Sequence, residues 1–267
     1  MSKILKKIKL PKKNSFEEMK LFFKKKNIFI NENWKYEPRK KYKKSNETYG
    51  PEIEDLYRVY QIIYLNKRTT ILEFGTGWTS LIIARALHDL KKKYLYQASK
   101  LRRNNLYELF VIDDFKKYLD ISKNRISKID ELKNLKIHWK YSPVNMELYN
   151  GQISMTYKYL HLCNPDFIYI DGPDQFKVKG KIKGFTANHG DMMPMVNDIL
   201  KFENYLNPGT IILIDGRAAN TYFLKNNFRR NWLYHFDEEN NQHFFYLDDP
   251  PFGEINKELL TFYKKND

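Results

Sequence analysis

Four acids and one glycine turn stand out as residues that could do chemistry. The run Ile71-Leu72-Glu73-Phe74-Gly75-Thr76-Gly77-Trp78-Thr79-Ser80 passes from an apolar stretch into a glycine-rich turn and straight into a helical pattern. Gly75 and Gly77 let the chain turn tightly and let its backbone approach a ligand closely. The first-turn amides of the following helix, around Thr76 and Thr79, then face that ligand. A dinucleotide fingerprint would place glycine where Ser80 stands, and it does not usually carry an acid two residues ahead of its first glycine. An acid at Glu73 suits instead a ligand with an ammonium group. Three further apolar runs also end in acids: Val111-Ile112-Asp113, Phe167–Asp171 (followed by Gly172-Pro173) and Thr210–Asp215. Open α/β sheets bind ligands at the carboxyl ends of their strands, so these acids converge by topology.

The periodicities supply the elements that must hold them. Residues 53–65 read as a helix with Ile53, Leu56, Val59, Tyr60 and Ile63 on one stripe. Strands are expected at 70–74, 109–113, 135–141, 167–171 and 210–215, with helices at 79–90 and 118–132. A further helix is expected from Asp191, its cap, through Met192, Met195, Val196, Ile199, Phe202 and Leu206, up to Asn207-Pro208-Gly209. Two last strands, 232–236 and 243–247, flank a polar turn. Short apolar strands alternating with helices predict an α/β fold whose mostly parallel sheet is covered on both faces. Residues 50–267 form that unit. Residues 1–49 read as a basic helical arm, with a break at Pro11, a capping box at Ser15–Glu18 and a lysine-rich linker at 39–44.

Glu73-Phe74-Gly75-Thr76-Gly77 resembles motif I of class I S-adenosylmethionine-dependent methyltransferases. The order of elements over residues 53–247 resembles that family's Rossmann-like seven-stranded sheet with its reversed C-terminal antiparallel hairpin. The resemblance implies S-adenosyl-L-methionine as cofactor, its methionine end on Gly75, Thr76, Gly77 and Thr79. It implies a ribose contact from Asp113, with Asp114 as the alternate. Glu73 and Asp113 lie forty residues apart, where about twenty is usual, and the surplus is a basic insertion at 91–107 entering on the far side from the cofactor. After the third strand the family often has an acid for the adenine. Here Ser142 stands, either bonding the base or serving as a turn serine before Pro143.

For the chemistry, Asp171 faces the transferred methyl in the resembled family. Asp171 with Asp215 could hold magnesium, as in catechol-type enzymes, but the third ligand expected next is Gly216. Metal-free proton abstraction by Asp171 is the favoured version, with His189, in the loop before the next helix, ranked behind it. His88, His138 and His161 read as structural, and Cys163 as a buried small hydrophobe.

Of 267 residues 47 are basic, for a net charge of +15, yet only ten are arginines. Residues 1–49 carry 16 basic and five acidic side chains, and the remainder is nearly balanced. The positive field therefore belongs mostly to the arm. No apolar run approaches the ~18 residues of a bilayer-spanning helix, and one cysteine excludes an internal disulfide framework. A cytoplasmic enzyme is expected, methylating an oxygen of a small-molecule or sugar acceptor. The lysine loop 176–185, with Arg217, Arg229 and Arg230, suits an anionic acceptor such as a uronic acid. An RNA methyltransferase using the arm, or a non-catalytic module at an anionic membrane surface, are the alternatives.

Overall fold

The computed structural model describes residues 3–28 and 51–265. The strands in chain order are β1 (Thr70–Phe74), β2 (Glu108–Asp113), β3 (Ile137–Tyr141), β4 (Val144–Tyr149), β5 (Gln152–Tyr157), β6 (Phe167–Ile170), β7 (Ile211–Asp215), β8 (Trp232–Asp237) and β9 (Gln242–Leu247). The helices are α1 (Phe16–Lys25), α2 (Ile53–Leu65), α3 (Trp78–Ala98), α4 (Lys116–Ser127), α5 (Asp198–Phe202), α6 (Ala218–Asn227) and α7 (Gly253–Lys264). Seven strands make one sheet in the order β3-β2-β1-β6-β7-β9-β8. Its first five are mutually parallel, and β9 turns antiparallel against β7 and β8. The order reverses between β1 and β6, which opens a crevice beyond their carboxyl ends.

Successive strand residues alternate between two cores, which is why the strands read as unbroken apolar runs. Ile71, Leu109, Val111, Phe167, Tyr169, Ile211 and Leu213 pack against the α2, α3, α4 and α7 layer. Leu72, Phe74, Phe110, Ile112, Ile168, Ile170, Ile212 and Ile214 face a layer built from the β4–β5 hairpin, α5 and α6. Asn150 and Gly151 turn that hairpin, both at positive φ (49° and 78°). The hairpin is bonded at both edges: Lys179 bridges to Asn145 of β4, and Val196 to Met155 of β5.

Three expectations are corrected. The helix expected from Asp191 begins only at Asp198. Residues 195–197 instead run alongside β5, where the Met155 amide donates to the Met195 carbonyl and the Asn197 amide to the Met155 carbonyl, 2.8 and 3.0 Å. Pro194 has no amide to give a helix there. The helix expected to reach Leu132 stops at Ser127, with a separate 3-10 turn at Asp130–Leu132. The 91–107 surplus is in large part α3 itself, prolonged to Ala98, with Tyr94 and Ala98 buried. The β4–β5 hairpin and α7 were not foreseen.

The arm's lysine-rich linker at 39–44 lies outside the described residues. The capping box at α1 is present: the Glu18 amide donates to Ser15 Oγ and the Ser15 amide to the Glu18 carboxylate. Residues 3–6 form a 3-10 turn rather than an α-helix. This segment is stitched to the main unit. Ile4 and Ile8 are buried in the α2–α3 core, and Asn66 exchanges two 2.8 Å hydrogen bonds with the Lys9 backbone. Ile4→Ala is therefore expected to cost about 2–5 kcal/mol, read as a fall in Tm of several degrees. An unchanged Tm would show that the turn is not part of the core. Among the described residues no helix is long and apolar enough to cross a membrane.

Candidate active site

Two turns cross at the sheet's switch point. Gly75, at φ +90°, lies so close to the turn after β6 that a Cβ on it would stand 2.7 Å from the Gly172 nitrogen. A Cβ on Gly172 would stand 2.5 Å from the Gly75 Cα. The amides of Asp171 and Gly172 both donate to the Phe74 carbonyl, at 2.9 and 2.8 Å, and fix the crossing. Gly77 is different: it is extended, and nothing lies within 4 Å of where its Cβ would be. Its carbonyl is held from α4 by Ser122 Oγ (3.2 Å) and Arg125 Nη1 (2.9 Å). The Arg125 guanidinium also lies 3.9 Å from the Trp78 ring centre.

The turn is shaped by two buried acids. Glu73 is fully buried and accepts hydroxyls from Thr79 and Ser80, both at 2.6 Å. Burial pushes its carboxyl up to about 8 against those two hydrogen bonds. Asp113 accepts the amides of Thr76 (2.8 Å) and Phe115 (2.6 Å), tying the end of β2 to the glycine turn. Burial first, then the neighbouring charge of Asp114, raises it to about 7. Both its oxygens are thus committed within the protein. Asp114, also buried, keeps Oδ2 without a hydrogen-bond partner among the described residues, and burial raises it to about 6. The ammonium of Lys177, from the turn after β6, lies over the Phe115 ring, 2.9 Å from its centre, and its charge lowers Asp114.

Asp171 stands at the end of β6. Solvent reaches its side chain, and among the described residues its carboxylate makes no hydrogen bond, yet protein crowds it on most sides. That desolvation, and then the charge of Asp215, raises it to about 7. Asp215 Oδ2 accepts from the Tyr169 hydroxyl at 3.2 Å. Arg217 braces the turn: Nη1 donates to the Asp171 carbonyl (2.8 Å) and Nη2 to the Pro173 carbonyl (2.7 Å). The buried Tyr157 hydroxyl has no hydrogen-bond partner among the described residues and feels the charges of Asp113, Asp114, Asp198 and Arg217.

The structure thus gathers Glu73, Gly75, Thr76, Gly77, Thr79, Asp113, Asp171 and Asp215 at one end of the sheet. Ser142 is fully buried and accepts the Tyr159 amide at 2.8 Å, the bond of a turn serine. His189 lies on an exposed loop, where the Asp191 amide donates to its Nδ1 at 3.2 Å, and no contact joins it to Asp171. Arg230 is committed elsewhere, to Asp249 and to the carbonyls of Glu203 and Leu206. His138 pairs with Glu108, His161 with the Val111 carbonyl, and burial raises Cys163 to about 12. Among the described residues no group of three His, Cys, Asp or Glu is assembled to hold a metal ion. Sequence reasoning missed Lys177 and Tyr157, whose approach to Asp114 depends on the hairpin and on long-range packing. The doubled Asp113-Asp114 was the available signal for the second acid.

The sheet order, with β9 antiparallel between β7 and β8, makes this a Rossmann-like α/β fold, the one expected from the sequence. No protein-family model matches the chain, and no curated protein does. Similar solved structures include the Podospora anserina methyltransferase PaMTH1 bound to S-adenosylhomocysteine, at 13% identity over 75% of this chain and 80% of that one, TM-score 0.43. Another is an O-methyltransferase from Bacillus cereus, also with S-adenosylhomocysteine, at 13% identity over 93% and 96%, TM-score 0.39. A third is a methyltransferase from Geobacter sulfurreducens, at 11% over 90% and 91%, TM-score 0.43. These are distant likenesses, and the ligands belong to those proteins.

Proposed function

We propose that this chain is an S-adenosylmethionine-dependent methyltransferase acting on a hydroxyl of a small-molecule or sugar acceptor. The observation that carries the reading is the open space at Gly77, on a glycine turn tied to Asp113 through the Thr76 amide and to Glu73 through the Thr79 hydroxyl. Such a site suits a cationic ligand, because a positive charge would let Glu73, Asp113 and Asp171 ionise. The orphaned Oδ2 of Asp114 is an acceptor suited to a ribose hydroxyl, while Asp113 fixes the turn. The cofactor would supply an electrophilic methyl on a sulfonium. The protein then has to hold the reactants in line and accept one proton. Asp171 is placed for that proton at a strand end, with Arg217 bracing its backbone. Its carboxyl becomes a stronger base as positive charge leaves the site, so the proton stays on it until product release. The lysines of the 176–185 loop support an anionic acceptor.

The test is calorimetry with S-adenosylmethionine, S-adenosylhomocysteine and NAD at several pH values. These carboxyls titrate higher in the folded protein than the usual range near 4. Their ionised forms therefore become populated only as pH rises through about 7 to 8. A cation that prefers those forms binds more tightly as pH rises, by about tenfold from pH 6 to pH 8 for one group centred near 7. S-adenosylmethionine should release protons on binding, and S-adenosylhomocysteine, whose thioether sulfur carries no charge, should release fewer. Binding of NAD in place of both would overturn the assignment.

A further inference from the structure

The prolonged end of α3 has no part in the site above. Residues 91–107 carry six cations, Lys91, Lys92, Lys93, Lys100, Arg102 and Arg103, and no acid. α3 starts at the glycine turn, and its 21 residues carry the far end about 30 Å away. Tyr94 is buried there, edge-on to Phe262 of α7 at 6.1 Å between ring centres. The other side of the tip leaves Leu95 47% and Tyr96 72% exposed. Lys92, Lys93, Lys100 and Arg102 are exposed beside them, the Lys100 ammonium 4.2 Å from the Tyr96 ring centre. On the buried side, Lys67 lies over the Tyr94 ring at 4.5 Å and donates to the Lys265 carbonyl at 2.5 Å, which ties the end of α7 to the helix beneath the tip.

We propose that this tip docks on an anionic lipid bilayer, with Leu95 and Tyr96 entering the interfacial layer and the surrounding cations meeting headgroup phosphates. A tyrosine and a leucine ringed by lysines match that boundary: the ring sits at headgroup level, and lysines extend along apolar surface to reach charge. Arginine forks would be the mark of a nucleic-acid surface. Here Arg103 is spent on the Asn164 carbonyl, which leaves Arg102 as the exposed arginine of the segment. Docked this way, the candidate active site faces water at the opposite end. The inference does not depend on what that site does.

The experiment is co-sedimentation of the full chain with vesicles of phosphatidylcholine alone and of phosphatidylcholine mixed with phosphatidylglycerol. The unaltered protein should bind the mixed vesicles, ignore the neutral ones and be released by salt. Lys92→Glu/Lys100→Glu/Arg102→Glu should weaken binding by more than ~100-fold, at about fivefold or more for each cation. Leu95→Ser/Tyr96→Ser should weaken it by about tenfold with charge unchanged. All five positions are solvent-facing, so Tm should match wild type in both variants. Absence of binding to the mixed vesicles at low salt would overturn the proposal. So would vesicle binding by the Leu95→Ser/Tyr96→Ser variant equal to wild type. A single-stranded RNA that binds the unaltered chain more tightly than the vesicles, and is lost only with charge reversal, would assign the tip to nucleic acid instead.

Discussion

Asp171→Asn is expected to keep cofactor binding and lose turnover by about 10²–10⁴-fold, the usual cost of removing a general base. The substitution is nearly isosteric, and the backbone contacts of residue 171, to Phe74 and Arg217, do not involve its side chain. The fold should therefore survive. Stability offers a second reading. A carboxyl raised to about 7 favours the folded state while protonated and loses that advantage as pH rises through 7. Removing it should make the ligand-free variant relatively more stable than wild type at pH 8 than at pH 6. Turnover equal to wild type on any acceptor would take Asp171 out of the mechanism. Activity that vanishes with chelator and returns with magnesium would move it, with Asp215, into a metal site.

Gly77→Leu is expected to abolish cofactor binding, with a loss of more than ~100-fold, while the ligand-free Tm stays at the wild-type value. The backbone at Gly77 is extended, a conformation any residue adopts, and its Cβ would project into open space. The new side chain would fill the volume a ligand needs and disturb nothing else. Gly75→Ala is the contrasting control: its methyl would collide with the Gly172 backbone, so the fold itself should suffer. Calorimetry on Gly77→Leu separates the two cases. Wild-type affinity in that variant would place the cofactor elsewhere.

Much of this architecture can be read from local pattern. The parallel strands announce themselves because residues such as Ile71 and Leu72 are buried on opposite faces, leaving no polar alternation. The glycine turn is legible because Glu73 and the two glycines sit at fixed offsets from a helix start. The reading fails where tertiary bonds override periodicity. Met192, Met195, Val196 and Ile199 have helical spacing, yet residues 195–197 exchange backbone bonds with Met155 of β5, and the Val196 amide donates to Asn220 Oδ1. The β4–β5 hairpin has its signal in Asn150-Gly151, a turn pair between two extended runs. α7 has its own in the spacing of Ile255, Leu259, Phe262 and Tyr263. Which of Asp113 and Asp114 binds the turn was not legible, because it depends on which carboxylate the Thr76 and Phe115 amides capture.

The hairpin is bonded at one edge to Lys179 and at the other to Val196. The lysine loop and the 195–197 segment are joined through it into one small patch that sits against the sheet mainly through side chains. Amide exchange should report that patch as a single opening unit, slower than its exposed loops would suggest. If this patch meets the acceptor of the proposed reaction, residues 144–157 and 176–197 would have to be exchanged together, with β6 and Asp171 between them left in the sheet. Exchanging the loop alone would leave an unpaired strand edge behind.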